Sequence, residues 1–354
     1  MNKLYTIAKN TFIETLRQPI YAVIIVIALF LLFLSPSLTM YTMSDDNKLL
    51  REIGLSTLFV TSLFIAIFSA SGAVAEEMRN KTVTTVLSKP VERPIFILAK
   101  FFGVAAAVVL AHYICSIALL MSIRHGVLET ASDTHDWTVL GTAGGVVAMT
   151  LVISTFFNYA YDWRFSSTSI VLTGIFATFG IVFLAFIDRE WKFNPANNGI
   201  NSADVYGSVL LLLGVMVMLA VAIALSARFN IVVTLSACIG IFLLGLVSDY
   251  TFARPSSYRV RNIETGEYES FKSDNLPTDA GRYDLDGKEP RRYLWSTIGR
   301  SLVPNMQVFW ISDAIYEGNP VPPAYILISA SYGLCYTAAI LAIAVALFQR
   351  RQVG

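Results

Sequence analysis

The chain has 354 residues, of which 55% are hydrophobic and only 14% are charged, and its mean hydropathy is +0.61. Soluble domains are about one-quarter charged, so this composition excludes an ordinary soluble protein and indicates a polytopic membrane protein. The formal net charge of +1 gives no reason to expect binding to nucleic acid, and the bilayer is the expected environment.

Apolar runs along the chain predict an all-α polytopic membrane protein with about eight transmembrane helices, and six is the alternative count. Each run has about 20 residues, which is long enough to cross the hydrocarbon core. The fourth and fifth runs, like the sixth and seventh, are joined by short polar loops and are typical of helical hairpins. The predicted spans are residues 19–39, 54–75, 101–122, 138–160, 169–187, 206–227, 231–248 and 324–348.

Before the first span, apolar residues repeat at helical spacing and basic residues mostly lie between them. The apolar residues are Leu4, Ile7, Ala8, Phe12 and Leu16. This pattern predicts an interfacial helix over residues 1–18, whose cations can meet anionic lipid at the cytoplasmic surface. The alternative is an irregular N-terminal tail. No small-residue cleavage site is evident near the first span, so a cleaved signal peptide is not expected.

The connection between the second and third spans, residues 76–100, is the densest cationic stretch between any two spans. Within it, Val83, Val86 and Leu87 share one face of a short helix, Pro90 interrupts that helix, and Pro94 suits the first turn of the next one. We therefore expect a cytosolic helix joined rigidly to two spans. The cations are Arg79, Lys81, Lys89, Arg93 and Lys100.

Lysine and arginine counts predict the orientation of the chain. With the N-terminus inside, the inner segments hold twelve of these residues and the short outer loops hold five. The positive-inside rule then places the 76–100 segment and both termini in the cytoplasm, which requires an even number of spans.

The largest polar region, residues 249–322, is expected outside the cell. Short β-like runs around Thr265 and Gly266 predict a hairpin over residues 258–271, and helical spacing predicts a surface helix over residues 292–302. This region is either an external lid or docking element or a poorly specified loop, and it is too poor in apolar residues for a convincing core of its own. The predicted domains are residues 1–248 (transmembrane), 249–322 (extracytoplasmic) and 323–354 (last span and cytosolic tail).

Catalytic and nucleotide-binding motifs are missing from the sequence. There is no HExxH, GxSxG or CxxC motif, and no GxxxxGK[ST] loop, so we expect no enzymatic activity and no cofactor or metal in this chain. His112, the one histidine in a predicted span, is expected to be hydrogen-bonded packing. Three cysteines inside spans are expected to be small buried hydrophobic residues: Cys115, Cys238 and Cys335.

The predicted spans contain no Asp, Glu, Lys or Arg. Ion-coupled carriers usually keep such residues in the membrane, so this absence disfavours a secondary carrier. Small residues occur instead, at Gly141 and Gly145 in the fourth span and over residues 69–73 in the second. They are expected to pack within one subunit, and a seam between two subunits is the less favoured alternative.

Both ends of the chain carry a recognisable pattern. The first part comprises Glu76, Glu77, Arg79, Thr82, Leu87, Ser88, Pro90, Arg93, Lys100 and Gly103; the second comprises Pro304, Asn305, Tyr332, Tyr336 and residues 348–351. This pattern resembles the signature of ABC type 2 transporter permeases, and most of all the multi-copper enzyme maturation permease subgroup. The family usually has a glycine just before the threonine, where this chain has Lys81, and its members typically have six spans.

The resemblance implies the membrane-spanning permease subunit of an ATP-driven ABC exporter in a bacterial plasma membrane. Such a subunit pairs with itself or a related permease and with two cytosolic ABC ATPase subunits, which bind ATP and magnesium. A non-transporting membrane assembly or scaffold protein is the alternative, and a secondary carrier is a further one. The residues implied to couple the permease to the ATPase are Glu76, Glu77, Arg79, Thr82, Leu87, Ser88, Lys89, Pro90 and Arg93.

Overall fold

The computed structural model describes residues 3–39, 46–76, 92–128, 134–195, 201–253, 257–263, 265–272, 276, 282–291, 293–316 and 321–349. Eight helices in these ranges are long and apolar enough to cross a membrane, which confirms the all-α polytopic prediction. The chain divides into two compact units, one made of Met1–Cys238 and Phe309–Gly354, and the other of Ile239–Val308. The predicted domain boundaries stay predictions.

The elements follow one another along the chain in this order. They are α1 (Lys3–Leu16), α2 (Pro19–Thr39), α3 (Asp46–Ser71), a π-helical turn (Gly72–Glu76), α4 (Arg93–His125), α5 (Trp137–Tyr161), α6 (Phe165–Phe186), α7 (Ser202–Ser226), α8 (Ile231–Ser248), a second π-helical turn (Asp249–Ala253), β1 (Ser257–Asn262), β2 (Tyr268–Lys272), β3 (Tyr283–Arg291), α9 (Leu294–Leu302), a 3-10 turn (Gln307–Phe309), α10 (Ser312–Tyr316) and α11 (Pro323–Gln349).

The centre of the first unit consists of α3, α4 and α7. These three helices bury most of their side chains, whereas α2, α5, α6 and α11 bury fewer than a third of theirs. The peripheral helices are apolar on nearly every side, because their outer faces meet lipid, so the hydrophobic pattern does not show which face turns inward. On α2 the inward residues recur in alternating steps of four and three: Tyr21, Ile25, Ala28, Leu32, Ser35 and Thr39.

A hydrogen-bonded polar cluster joins the three central helices. The Nδ1 atom of buried His112 on α4 lies 2.8 Å from the hydroxyl of Ser62 on α3, and its Nε2 atom lies 3.0 Å from the carbonyl oxygen of Ser208 on α7. The hydroxyls of Ser116 and Ser208 are 2.7 Å apart. Both ring nitrogens of His112 are satisfied by neighbouring helices, which confirms the prediction that this histidine serves packing.

The helices are longer than the predicted spans, and their added ends contain charged residues. Arg51 of α3 donates from Nε to Asp204 of α7 at 3.0 Å, and the Asp204 side chain is only 2% exposed. Arg124, at the end of α4, lies 3.6 Å from the carboxylate of Asp136, which caps α5. Buried ionisable groups are therefore present after all, but near helix ends and with partners, where burial of a charge costs less.

Two sequence interpretations are corrected by the packing of the helices. Cys115 and Cys238 are buried as expected, but Cys335 on α11 is exposed. In the part of the chain that the structure describes, nothing from another element comes within 4 Å of a Cβ placed on Gly144 or Gly145, so the expected packing at Gly145 is wrong. Cys335 and Gly145 lie on the outward faces of their helices, and apolar composition alone does not show which face of a helix turns outward.

The second unit contains a three-stranded antiparallel sheet with the order β2-β1-β3. The predicted hairpin is confirmed by the pairing of β1 with β2, and Gly266 in its turn has a φ of +72°, a conformation that glycine adopts without strain. The third strand was not expected. The predicted surface helix is also present, as α9, and Ser296 donates a hydrogen bond from its hydroxyl to the carbonyl of Phe252 at 2.6 Å.

Candidate functional site

The coupling residues predicted from the sequence lie mainly in a part of the chain outside the described residues. Glu76 ends the first π-helical turn and Arg93 begins α4, and the structure describes the backbone of both. The structure thus shows how the two ends of the 76–100 segment are held. The residues outside the described ranges are Glu77, Arg79, Thr82, Leu87, Ser88, Lys89 and Pro90.

The first end of the segment is the π-helical turn that follows α3. A Cβ on Gly72 would lie 2.8 Å from Nε2 of Gln18, so the backbone of the turn approaches the junction between α1 and α2 closely. One residue earlier, the hydroxyls of Ser71 and Ser226 are 3.3 Å apart, which ties the end of α3 to the end of α7. Single π-helical turns are frequent at functional sites, and this one directs the chain into the predicted coupling segment.

The second end of the segment is the start of α4. Glu92 is extended, with φ −65° and ψ 135°, and Pro94 occupies the first turn, where its missing N–H costs nothing. This agrees with the position predicted for Pro94. A ring contact in the first turn then holds the start of the helix, since the ring of Phe96 stacks on the ring of Phe348 in α11 with centroids 5.7 Å apart. Both rings are almost fully buried, so the start of α4 is anchored to the last helix.

Helix α1 crosses α4 at a glycine. A Cβ on Gly103 would lie 2.6 Å from the carbonyl oxygen of Ala8 and 2.7 Å from Cβ of Thr11. Real Cβ atoms do not approach a backbone oxygen so closely, so only glycine allows α1 to lie directly on α4. The helix predicted within residues 1–18 is present as α1, and its Thr11 and Thr15 side chains are buried in the first unit. Its position at the membrane interface stays a prediction.

An ion pair lies beside this crossing. Lys100 is only 3% exposed, its Nζ atom is 4.0 Å from Oε2 of Glu14 in α1, and it lies 5.7 Å from the centre of the Phe96 ring. A buried ammonium group needs such partners, because desolvation disfavours its charge. Lys100 therefore stabilises the position of α1 on α4.

A cleft of about 580 Å³ lies at the same end of the first unit, which we call the α1 end. Its walls include the exposed side chains of Arg17, at the end of α1, and Arg164, in the short connection between α5 and α6. Nearby in that connection, Trp163 stacks on Phe157 with centroids 4.8 Å apart. Exposed cations beside aromatic rings are typical of a protein surface at a membrane interface.

The chain at α1 thus lies against the backbone on both sides of the predicted coupling segment. Gln18, in the junction after α1, approaches Gly72, and Ala8 and Thr11 of α1 approach Gly103. A movement imposed on the segment would reach α3 and α4 together with α1, because all three are packed as one body at this end. Sequence reasoning missed the roles of Gln18 and Glu14, because contacts between residues distant in the chain leave no local pattern. Lys100, Gly103 and Phe348 were part of the signature, but the sequence did not show which residues they contact.

Comparison with known families assigns the chain to a family. The profile of a family described as ABC-2 family transporter protein matches residues 11–233, which is more than half of the chain and includes the last six residues of α1, both ends of the coupling segment and the central helices. The match does not confirm the resemblance to the multi-copper enzyme maturation permease subgroup. Among curated proteins, none matches the chain. The chain therefore belongs to the ABC-2 family of transporter membrane proteins.

Proposed function

We propose that this chain is the permease subunit of an ATP-driven ABC exporter and that the 76–100 segment receives force from a separate cytosolic ATPase. The observation that supports this proposal most directly is the close packing on either side of the segment. Gly72, before it, lies against the junction after α1, and Gly103, after it, lies against α1 itself. A short connection attached to packed helices at both ends can transmit displacement to the bundle, whereas a loosely attached loop would absorb it.

ATP binding would close the ATPase pair and displace the segment, and α3 and α4 would move with it. Such a displacement changes transport only if the ATPase binds the two permease conformations with different affinity. Hydrolysis of ATP and binding of magnesium belong to the partner in this proposal, and this chain supplies no catalytic residue. Two ATPase subunits require two permease subunits, so the proposal includes pairing with a second copy or with a related permease.

In this proposal both termini and the 76–100 segment lie in the cytoplasm of a bacterial cell, and residues 249–322 lie outside the plasma membrane. The basic residues at the α1 end support this orientation, since the exposed side chains of Arg17 and Arg164 line the cleft there. A tag at the C-terminus should then resist protease added to intact cells, and should be cleaved once the cells are opened. Cleavage of the tag in intact cells would reverse the orientation.

Purification of the tagged chain from its own cells in mild detergent tests the partner. We expect a protein with a nucleotide-binding ATPase domain to accompany the wild-type chain. Pro90→Glu and Arg93→Glu should each abolish that association and leave membrane insertion intact. The matched control is Arg228→Glu, which changes an exposed arginine at the α1 end outside the segment and should preserve association. Wild-type association in the Pro90 and Arg93 variants would exclude the segment as the docking site.

The same purification separates the alternatives. A membrane assembly or scaffold protein would bring a partner without an ATPase domain, and a secondary carrier would bring none. Against the carrier, four residues of the spanning helices take part in ion pairs within the described structure, and all four lie within eight residues of a helix end: Arg51, Lys100, Arg124 and Asp204. A coupling-ion site would instead be expected near the middle of the membrane.

A further inference from the structure

An apolar cavity of about 430 Å³ lies in the first unit, between α2, α4, α5 and α6. It extends from the middle of these helices toward the end of the bundle opposite α1. Its volume is near the lower limit of pockets that bind small molecules, roughly 300–1,000 Å³, which suits one slender ligand better than a bulky one. The walls along most of its length are aliphatic or aromatic, as at Phe33, Ile117, Ala143 and Val147.

The cavity opens sideways between α2 and α5. Phe33 of α2 and Val147 of α5 both line it, and these side chains are 63% and 58% exposed on the outer surface of the bundle. In a membrane this surface faces lipid, so an apolar molecule can enter without crossing water. A dry apolar cavity is unfavourable when it is empty, because its lining loses dispersion contacts, and water gains too few hydrogen bonds there to fill it.

Polar groups are concentrated at the end of the cavity opposite α1. His125 and His135 lie there, with Nε2 of His125 3.3 Å from Nδ1 of His135. His125 donates from Nδ1 to the carbonyl of Gly126 at 2.9 Å, so its Nε2 accepts the N–H of His135. This arrangement leaves Nε2 of His135 without a hydrogen-bond partner among the described residues, and it can bond a ligand at the cavity mouth.

Charges near this mouth are balanced within the loops themselves. Arg124 and Arg189 each lie 3.6 Å from the carboxylate of Asp136. Lys192 is paired with Glu190 at 2.6 Å, and this hydrogen bond raises the pKa of the lysine. Asp188, in the same loop as Arg189, Glu190 and Lys192, supplies a third anion for these three cations, so the six groups carry no net charge. Recognition of the ligand at the mouth therefore depends on hydrogen bonding by His135 more than on charge.

We propose that the cavity binds the hydrocarbon chain of a single-chain amphiphile and that Nε2 of His135 accepts a hydrogen bond from a hydroxyl in its headgroup. The lateral opening, the apolar walls and the polar end together match a molecule with one chain and one small polar head. Transport of this amphiphile as a substrate rests on the permease function proposed above. Its binding in the cavity depends only on the geometry of the four helices.

A photoreactive diazirine analogue of 1-hexadecanol, whose hydroxyl can donate to Nε2 of His135, tests the site in the purified full-length chain. We expect saturable labelling, mapped by mass spectrometry to α2 and α5 and displaced by unlabelled 1-hexadecanol. Ala118→Leu and Ala143→Leu fill the cavity and should lower this labelling at least tenfold. The matched control is Ala106→Leu, an exposed alanine on α4 outside the cavity, which should label like wild type. Equal labelling in the filling variants and the control would overturn the proposal.

The headgroup contact has its own test. His135→Ala should weaken displacement of the probe by 1-hexadecanol about fivefold, as expected for one lost hydrogen bond, and should leave displacement by hexadecane unchanged. Equal loss for both competitors, or no loss for either, would exclude the histidine contact. A diazirine analogue of phosphatidylcholine distinguishes bilayer lipid: if it labels the same residues and 1-hexadecanol does not displace it, the single-chain assignment is wrong. No arm uses the ATPase, so failure here is distinguishable from failure of the permease proposal.

Discussion

Replacement of Gly103 by alanine tests whether the glycine crossing holds α1 on α4. The new methyl group would lie 2.6 Å from the carbonyl oxygen of Ala8, and a backbone oxygen cannot rotate away, so α1 must shift. Overpacking costs about 1–3 kcal/mol, and a clash with rigid backbone belongs to the upper part of this range, about 2–3 kcal/mol. Alanine recovers about 1 kcal/mol through its better helix propensity. A net cost of about 1–2 kcal/mol would increase detachment of α1 by about 5- to 30-fold.

Limited trypsin digestion in detergent measures this detachment. Lys9 lies within α1 and is protected while the helix is folded and docked, so its cleavage rate follows the fraction of opened helix when opening is fast. We expect cleavage after Lys9 to be about 5- to 30-fold faster in Gly103→Ala, by the same free-energy conversion. The control is Gly144→Ala, where the methyl group meets nothing within 4 Å in the described structure. Equal cleavage rates in the two variants would refute the role given to Gly103.

Two further predictions concern other parts of the chain. Arg51→Met should destabilise the protein by about 3 kcal/mol, because the buried Asp204 carboxylate loses its ion pair, and adding Asp204→Leu should restore most of that stability. Thermal unfolding in detergent measures both effects, and an unchanged unfolding temperature in the single variant would contradict them. A maleimide should modify Cys335 in the folded protein in detergent and should modify Cys115 and Cys238 only after unfolding, as mass spectrometry would show.

The fold class and the coarse topology follow from the sequence because each span has to bury its own backbone hydrogen bonds in lipid. That requirement produces long apolar runs, which are visible without any structure, and the short polar loops between some runs indicate hairpins. The hairpin at Gly266 and the helix α9 were also predictable, because turn residues and helical periodicity are local signals. The strand β3 was not predictable, since its pairing with β1 joins residues far apart in the chain.

The candidate site was predictable only in part. The cations and prolines of the 76–100 segment indicate a cytosolic connection, and they give the start of α4 at Pro94. They do not indicate that α1 lies against both ends of the segment, because a helix that is apolar on one face can lie on lipid as well as on protein. The contact with Gly103 became visible only when the two backbones were placed together.

By itself, the sequence determined that this protein is a membrane bundle with about eight spans and that its most basic connection lies between the second and third. Only the tertiary structure decided which faces of the spans turn inward, because side chains that meet lipid and side chains that meet other helices are equally apolar. The packing of the helices also leaves Cys335 exposed, leaves Gly145 with no neighbour among the described residues, and forms the cavity beside Phe33. Helix packing in a membrane follows shape more than polarity, and shape appears only in three dimensions.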